Sequence, residues 1–178
     1  ANALLTPEAL LHLLAPFRHG DVGAVAGEKR IVSAGDDPAN AAGEGLYWKY
    51  ESFLKQQDAR LGSIVGAAGE LYAVRTGLFQ YLPDDTILDD FVQTLHIAML
   101  GYRVDYSPEA YAEETASADT GEELKRKIRI CTGGFQAIGR LAPLLNPFRY
   151  GLLSFQYISH RVLRWTVAPL LLPVILFT

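Results

Sequence analysis

A chain of 178 residues can bury one good-sized core, so a single folded domain is the default. Hydrophobic residues make up 49% and charged ones 20%, which excludes a disordered chain, and a formal charge of -4 speaks against a nucleic-acid binder, whose footprint is basic. Cys131 is the sole cysteine, which excludes an internal disulfide and a multi-cysteine zinc site and suits a reducing compartment.

Thr6-Pro7-Glu8 reads as a helix start, with a capping hydroxyl, a first-turn proline and a first-turn acid. Leu10, Leu11, Leu13, Leu14 and Phe17 fill that helix, which ends near Gly20. Val22 to Ala26, closed by Gly27, is almost wholly apolar, the pattern of a strand covered on both faces, and Ile31-Val32 continue the sheet. After a loop from Ala34 to Gly45, a second helix runs from about Glu44 to Leu61, with Leu46, Tyr50, Phe53, Leu54 and Leu61 at helical spacing. Tyr47 and Trp48 suit either the core or the lining of a groove. In Gly66-Ala67-Ala68-Gly69 two glycines three apart let a backbone approach a ligand or another chain, although small-residue turns are common.

The centre of the chain is Leu82-Pro83-Asp84-Asp85-Thr86-Ile87-Leu88-Asp89-Asp90-Phe91. A turn delivers two adjacent carboxylates to the start of an apolar helix, Phe91 to Met99, that stops at Gly101. One Asp serves as the N-cap. Two consecutive residues cannot both cap, and the spare one is placed to act as a general base.

Tyr102-Arg103-Val104-Asp105-Tyr106 alternates like a half-buried strand, and an acidic segment follows from Glu109 to Glu123. The chain then turns basic at Lys125-Arg126-Lys127-Ile128-Arg129, on a helix whose stripe is Leu124, Ile128, Cys131, Phe135, Ile138 and Ala142. Arg126 and Arg129 project from one side, where guanidinium forks suit a diphosphate. A solvated basic face paired with Glu122 and Glu123, or a helix lying on a membrane surface, accounts for the same pattern.

From Leu141 the text is Pro-punctuated, aromatic and apolar, interrupted by Arg149, Arg161 and Arg164, as suits a membrane interface. Trp165 to Thr178 is an uncharged apolar run. A spanning helix needs about 20 such residues, so the run reads as the start of one. With no initiator Met or signal peptide, the chain reads as a fragment of a larger, membrane-attached protein. His12, His19, His96 and His160 form no metal-ligand pattern.

Seven segments in order carry a resemblance: Gly23-Ala24-Val25-Ala26-Gly27; Trp48-Lys49-Tyr50-Glu51; Gly66-Ala67-Ala68-Gly69 with Tyr72-Ala73-Val74-Arg75; Leu88-Asp89-Asp90-Phe91; Gly101-Tyr102-Arg103-Val104; Arg126-Lys127-Ile128-Arg129; and Ser159-His160-Arg161-Val162-Leu163-Arg164-Trp165. Together they resemble the C-terminal half of a bacterial, membrane-bound family 2 glycosyltransferase of the cellulose, chitin and hyaluronan synthase branch. The resemblance implies an α/β fold, namely the acceptor-side half of a partial GT-A (Rossmann-like) domain. It divides the chain into that half over residues 1–117, an amphipathic interface helix region over 118–142, and a membrane-proximal segment with the start of a transmembrane helix over 143–178.

The resemblance implies that Asp90 matches the base of the family's Thr/Glu-Asp motif, with Asp89 where Glu is usual. Arg126 and Arg129 match the first and fourth positions of the Gln-x-x-Arg-Trp motif, which holds the donor diphosphate and the acceptor end; here Arg replaces Gln and Ile130 replaces Trp. Gly66, Gly69, Glu70 and Tyr72 fall on the acceptor side. Ala1-Asn2 match the end of an Asp-Ala-Asn variant of the metal motif, which makes Asn2 a metal-site residue and the cofactor a divalent metal, Mg or Mn. The implied reaction is inverting transfer from a nucleotide-diphosphate sugar to a saccharide or lipid-linked acceptor, at the cytoplasmic side of the bacterial inner membrane. Without a nucleotide-binding half, the fragment alone is expected to be inactive. A different class stays open: a non-catalytic membrane-associated module, in which the Asp pair only caps and the basic helix lies on anionic lipid. Clustering of Asp90, Arg126 and Gly69 around one cleft would favour the enzyme.

Overall fold

Four strands form one mixed sheet in the order β1-β4-β2-β3 in a computed structural model that describes residues 3–32, 38–67, 69–115 and 120–176. Strands β2 (Val22–Val32) and β4 (Arg103–Thr115) run parallel at its centre. β1 (Ala3–Leu5) and β3 (Tyr72–Val74) flank them antiparallel. The reading of Val22 to Ala26 as doubly covered holds. Ala24 and Ala26 pack with Ile64, Ile97 and Val104 on one side, and Val22 and Val25 pack with Leu13 and Ala110 on the other. The alternation read over Tyr102 to Tyr106 holds, with Val104 and Tyr106 buried, Arg103 and Asp105 half-buried and Tyr102 exposed, and the strand runs on beyond it. β4 is thirteen residues long and central, so Val104, Ala110 and Ala112 are fully buried.

Helix α1 (Ala9–Leu14) begins later than the Thr6-Pro7-Glu8 signal, because the Thr6 hydroxyl donates to the Tyr111 carbonyl of β4 instead of capping. Helix α2 (Pro38–Leu61) is longer than its periodic stretch. The groove-lining reading of Tyr47 and Trp48 falls outside the described side chains. Helix α3 (Asp89–Met99) buries Phe91, Val92, Leu95, Ile97 and Ala98. It ends as expected at Gly101, whose φ of 92° and N–H donated to the Ala98 carbonyl close the last turn.

Helix α4 (Thr120–Arg140) packs on a face that hydropathy does not show. Leu124, Ile128 and Phe135 of the expected stripe are exposed, whereas Gly133, Gly134 and Ala137 are buried. A Cβ on Gly133 would lie 2.6 Å from Leu88 Cγ, and one on Gly134 would lie 2.7 Å from the Trp165 indole, so the two glycines are the seat for those side chains. Helix α5 (Pro147–Tyr157), a π turn (Ile158–Val162) and helix α6 (Leu163–Leu176) complete the chain. Phe91, Leu95, Ala137, Leu141, Leu144 and Tyr157 join α3, α4 and α5 in one core cluster. Among the described residues no helix is long and apolar enough to cross a membrane.

Candidate active site at the head of α3

The N-cap of α3 is Leu88, which offers no side-chain cap, so neither Asp takes the role expected for one of them. Both carboxylates belong to the first turn. Asp90 satisfies free helix donors from inside that turn, accepting from the backbone N–H groups of Phe91 and of Asp90 itself. Burial above all, then the charges of Asp89 and Glu70, push its carboxyl up to about 6 despite those hydrogen bonds. A carboxylate tuned toward neutrality is suited to proton transfer near physiological pH.

The loop before β3 leaves Asp90 room. A Cβ on Gly69 would stand 3.1 Å from Asp90 Oδ2, so a glycine lets the backbone run alongside the carboxylate. Gly66 has φ of 83°, and a side chain there would collide with the Phe91 ring. Glu70 follows, its Oε1 2.8 Å from Lys29 Nζ on β2. Burial alone would raise the Glu70 carboxyl, but the Lys29 ion pair and the charge of Arg126 hold it below its usual range. The Tyr72 hydroxyl is pushed up by burial and then by the charges of Asp89 and Asp90. Asp89, Asp90, Gly69, Glu70 and Tyr72 are therefore brought together, with Arg126 near enough for its charge to act on Glu70. Arg129 is exposed on α4. Asn2 lies outside the described residues.

The turn before α3 is locked to α4. Gln136 Nε2 donates to the Asp85 carbonyl at 2.9 Å, its Oε1 accepts the Ile87 N–H at 3.0 Å, and Arg140 pairs with Asp85 at 2.7 Å. The Arg140 ion pair and hydrogen bond hold the exposed Asp85 carboxyl below its usual range.

Three neighbours of this site escape the assignment made from sequence. Trp165 lies on Gly134 with its ring centroid 5.3 Å from that of Phe91. The Arg161 guanidinium sits 5.8 Å above the Phe91 ring and donates to the Val65 carbonyl at 3.3 Å. Arg164 pairs with Glu51 of α2 at 2.6 Å. The signal was present: Arg161-x-x-Arg164-Trp165 has the spacing of the Gln-x-x-Arg-Trp pattern and, unlike Arg126 to Ile130, retains its tryptophan.

No three His, Cys, Asp or Glu side chains among the described residues gather as a metal-ligand set, so these residues do not fit a metal centre and no step is routed through one. A cleft of about 440 Å3 whose lining does not include Asp90 is formed by Gln56, Arg60, Arg103, Asp105 and Tyr106 at the start of β4.

No protein-family profile and no curated protein matches the chain. Among solved structures it is similar to the mannosyltransferase PcManGT from Pyrobaculum calidifontis in complex with GDP-Man and Mn2+, with a TM-score of 0.62, 21% sequence identity and 87% of this chain covered. The likeness is one of fold, and the chain spans 42% of that neighbour's length.

Proposed function

We propose that the chain is the acceptor-side half of an inverting, family 2 glycosyltransferase from a bacterial membrane. The observation that carries this reading is the Asp90 carboxyl at the head of a buried helix, raised to about 6 by burial and flanked by a glycine whose missing side chain leaves it room. Grouping of Asp90, Gly69 and Glu70, within reach of the Arg126 charge, supports an enzyme over a non-catalytic membrane module.

In the reaction Asp90, ionised, accepts the proton of the acceptor hydroxyl as that oxygen attacks the anomeric carbon. The bond from that carbon to the nucleotide diphosphate breaks, and the electron pair leaves with the diphosphate. Asp89 keeps a second negative charge beside the base. Arg126, with Arg129 beside it, offsets charge on the departing diphosphate. Arg161, Arg164 and Trp165 carry the Gln-x-x-Arg-Trp role from the other side of Phe91. Gly66, Gly69, Glu70 and Tyr72 form the acceptor side, with a saccharide or lipid-linked hydroxyl as substrate. A divalent metal, Mg or Mn, would bind through residues beyond those described, and Asn2 belongs to that expectation. The exposed Leu124, Ile128 and Phe135 beside Lys125, Lys127 and Arg129 suit a helix lying on anionic lipid at the cytoplasmic face, before a membrane-spanning segment that α6 begins. Because the chain covers 42% of its neighbour, transfer is expected from the intact protein and not from these residues alone.

The test is nucleotide release from a panel of UDP- and GDP-sugars by the intact protein in membranes, with Asp90→Asn in parallel. One donor turned over by the native protein, and at least about 1000-fold slower by the variant at unchanged donor affinity, is the expected result. Near-normal turnover by Asp90→Asn sinks the assignment.

A further inference from the structure

Helix α2 carries three charged residues on one face, Glu51, Lys55 and Asp58, at four- and three-residue steps. All three are buried, at 9%, 9% and 6% exposure. Charges are seldom buried unless they are paired, so the partners of this face show what it is for. Lys55 turns to the sheet, 3.8 Å from Glu28. Glu28 in turn accepts from the Tyr106 hydroxyl. The two carboxylates reach the C-terminal helices, and the charges of Glu51 and Arg161 are also felt at Lys55. Asp58 accepts from Gln156 Nε2 at 2.8 Å through one oxygen and meets His160 Nδ1 at 3.1 Å through the other. Glu51 meets Arg164 at 2.6 Å.

Gln156, His160 and Arg164 span the π turn, in which each hydrogen-bonded loop holds one residue more than in an α-helix. The extra residue changes which side chains point inward. With His160 and Arg164 fixed on α2, Arg161 is aimed at Phe91 and Val65, and Trp165 at Phe91 and Gly134. Phe91 is the residue after Asp90, and its N–H donates to the Asp90 carboxylate.

We infer that Glu51 and Asp58 are positioning residues: they hold the π turn in register and through it seat Arg161 and Trp165 against the first turn of α3. An apolar contact between α2 and α6 would tolerate rotation of one helix on the other. Two carboxylates seven residues apart, each matched to a particular partner, do not. The inference rests on Asp90 being the base. The charged and titratable groups around Asp90 are Asp89 on its own helix, Glu70 with its partner Lys29, Tyr72 on β3, Arg126 on α4 through Glu70, and Arg161 across Phe91.

The experiment uses Glu51→Gln and Asp58→Asn in the intact protein, with kcat, donor KM, the pH dependence of kcat and amide hydrogen exchange all measured. Each variant is expected to lower kcat about ten-fold with donor KM changed about two-fold or less, since misplacement of a reacting group costs rate. The acid limb of the pH profile is expected to move to lower pH as water reaches Asp90. Exchange is expected to quicken over 157–165 and over 89–92 together. Glu51→Asp, which keeps the charge, is expected to recover part of the rate. If Glu51→Gln does not fold, Arg164→Lys, which keeps the charge and loses the fork, is measured in its place. A folded variant with native kcat and an unmoved acid limb overturns the inference, as does faster exchange over 157–165 with none over 89–92. Full turnover in Asp90→Asn would instead refute the base, and the paired exchange result would still decide whether α2 controls the first turn of α3.

Discussion

Two pairs of arginines, each three residues apart, stand on α4 and on the C-terminal helices in different circumstances. Arg126 and Arg129 stand exposed on α4, and the charge of Arg126 reaches the site through Glu70. Arg161 and Arg164 are held on the π turn and the first turn of α6 by Val65, Phe91 and Glu51. The held pair has its direction fixed before any ligand arrives, which is the condition under which a charge stabilises a transition state most. Spacing alone does not separate them; the contacts of Arg161 with Val65 and Phe91 and of Arg164 with Glu51 mark the second pair.

The comparison breaks if the exposed pair proves the more important. Arg161→Ala is expected to lower kcat/KM by about 100-fold, the scale of losing one preorganised donor. Gly134→Ala comes next, because its Cβ would lie 2.7 Å from the Trp165 ring. Overpacking of this kind costs about 1–3 kcal/mol, to be read as a lower midpoint in thermal or denaturant unfolding. An unshifted midpoint would mean that Trp165 does not sit on Gly134. Arg126→Ala is expected to raise donor KM about ten-fold, consistent with loss of one charge-assisted contact, while Arg129→Ala changes it about two-fold. Equal losses at all three arginines would erase the distinction.

Much of the frame was legible in the sequence. The apolar run from Val22, the periodicity of α3 and its stop at Gly101 depend on local pattern, and each appears where expected. The buried face of α4 was not legible, because Gly133 and Gly134 carry no side chain for hydropathy to register, and the apolar stripe that stands out in the sequence is the exposed one. The π turn was invisible for another reason. Its register is set by Glu51 and Asp58, more than a hundred residues away for two of the contacts, and no local signal reports a tertiary partner. The Asp pair lies at the start of α3 as read, but its capping role was misread, since Leu88 holds the N-cap position and Asp90 accepts its N–H groups from within the turn.

The central claim is that Asp90 works as the base at a pKa set by burial. The most direct measurement is kcat against pH from about 4.5 to 8 with donor and acceptor saturating. Only the ionised carboxylate accepts the proton, so the rate is expected to rise with pH and level off above a midpoint near the carboxyl's about 6. A limb at the ordinary carboxylate position near about 4, or a flat profile, would contradict the account.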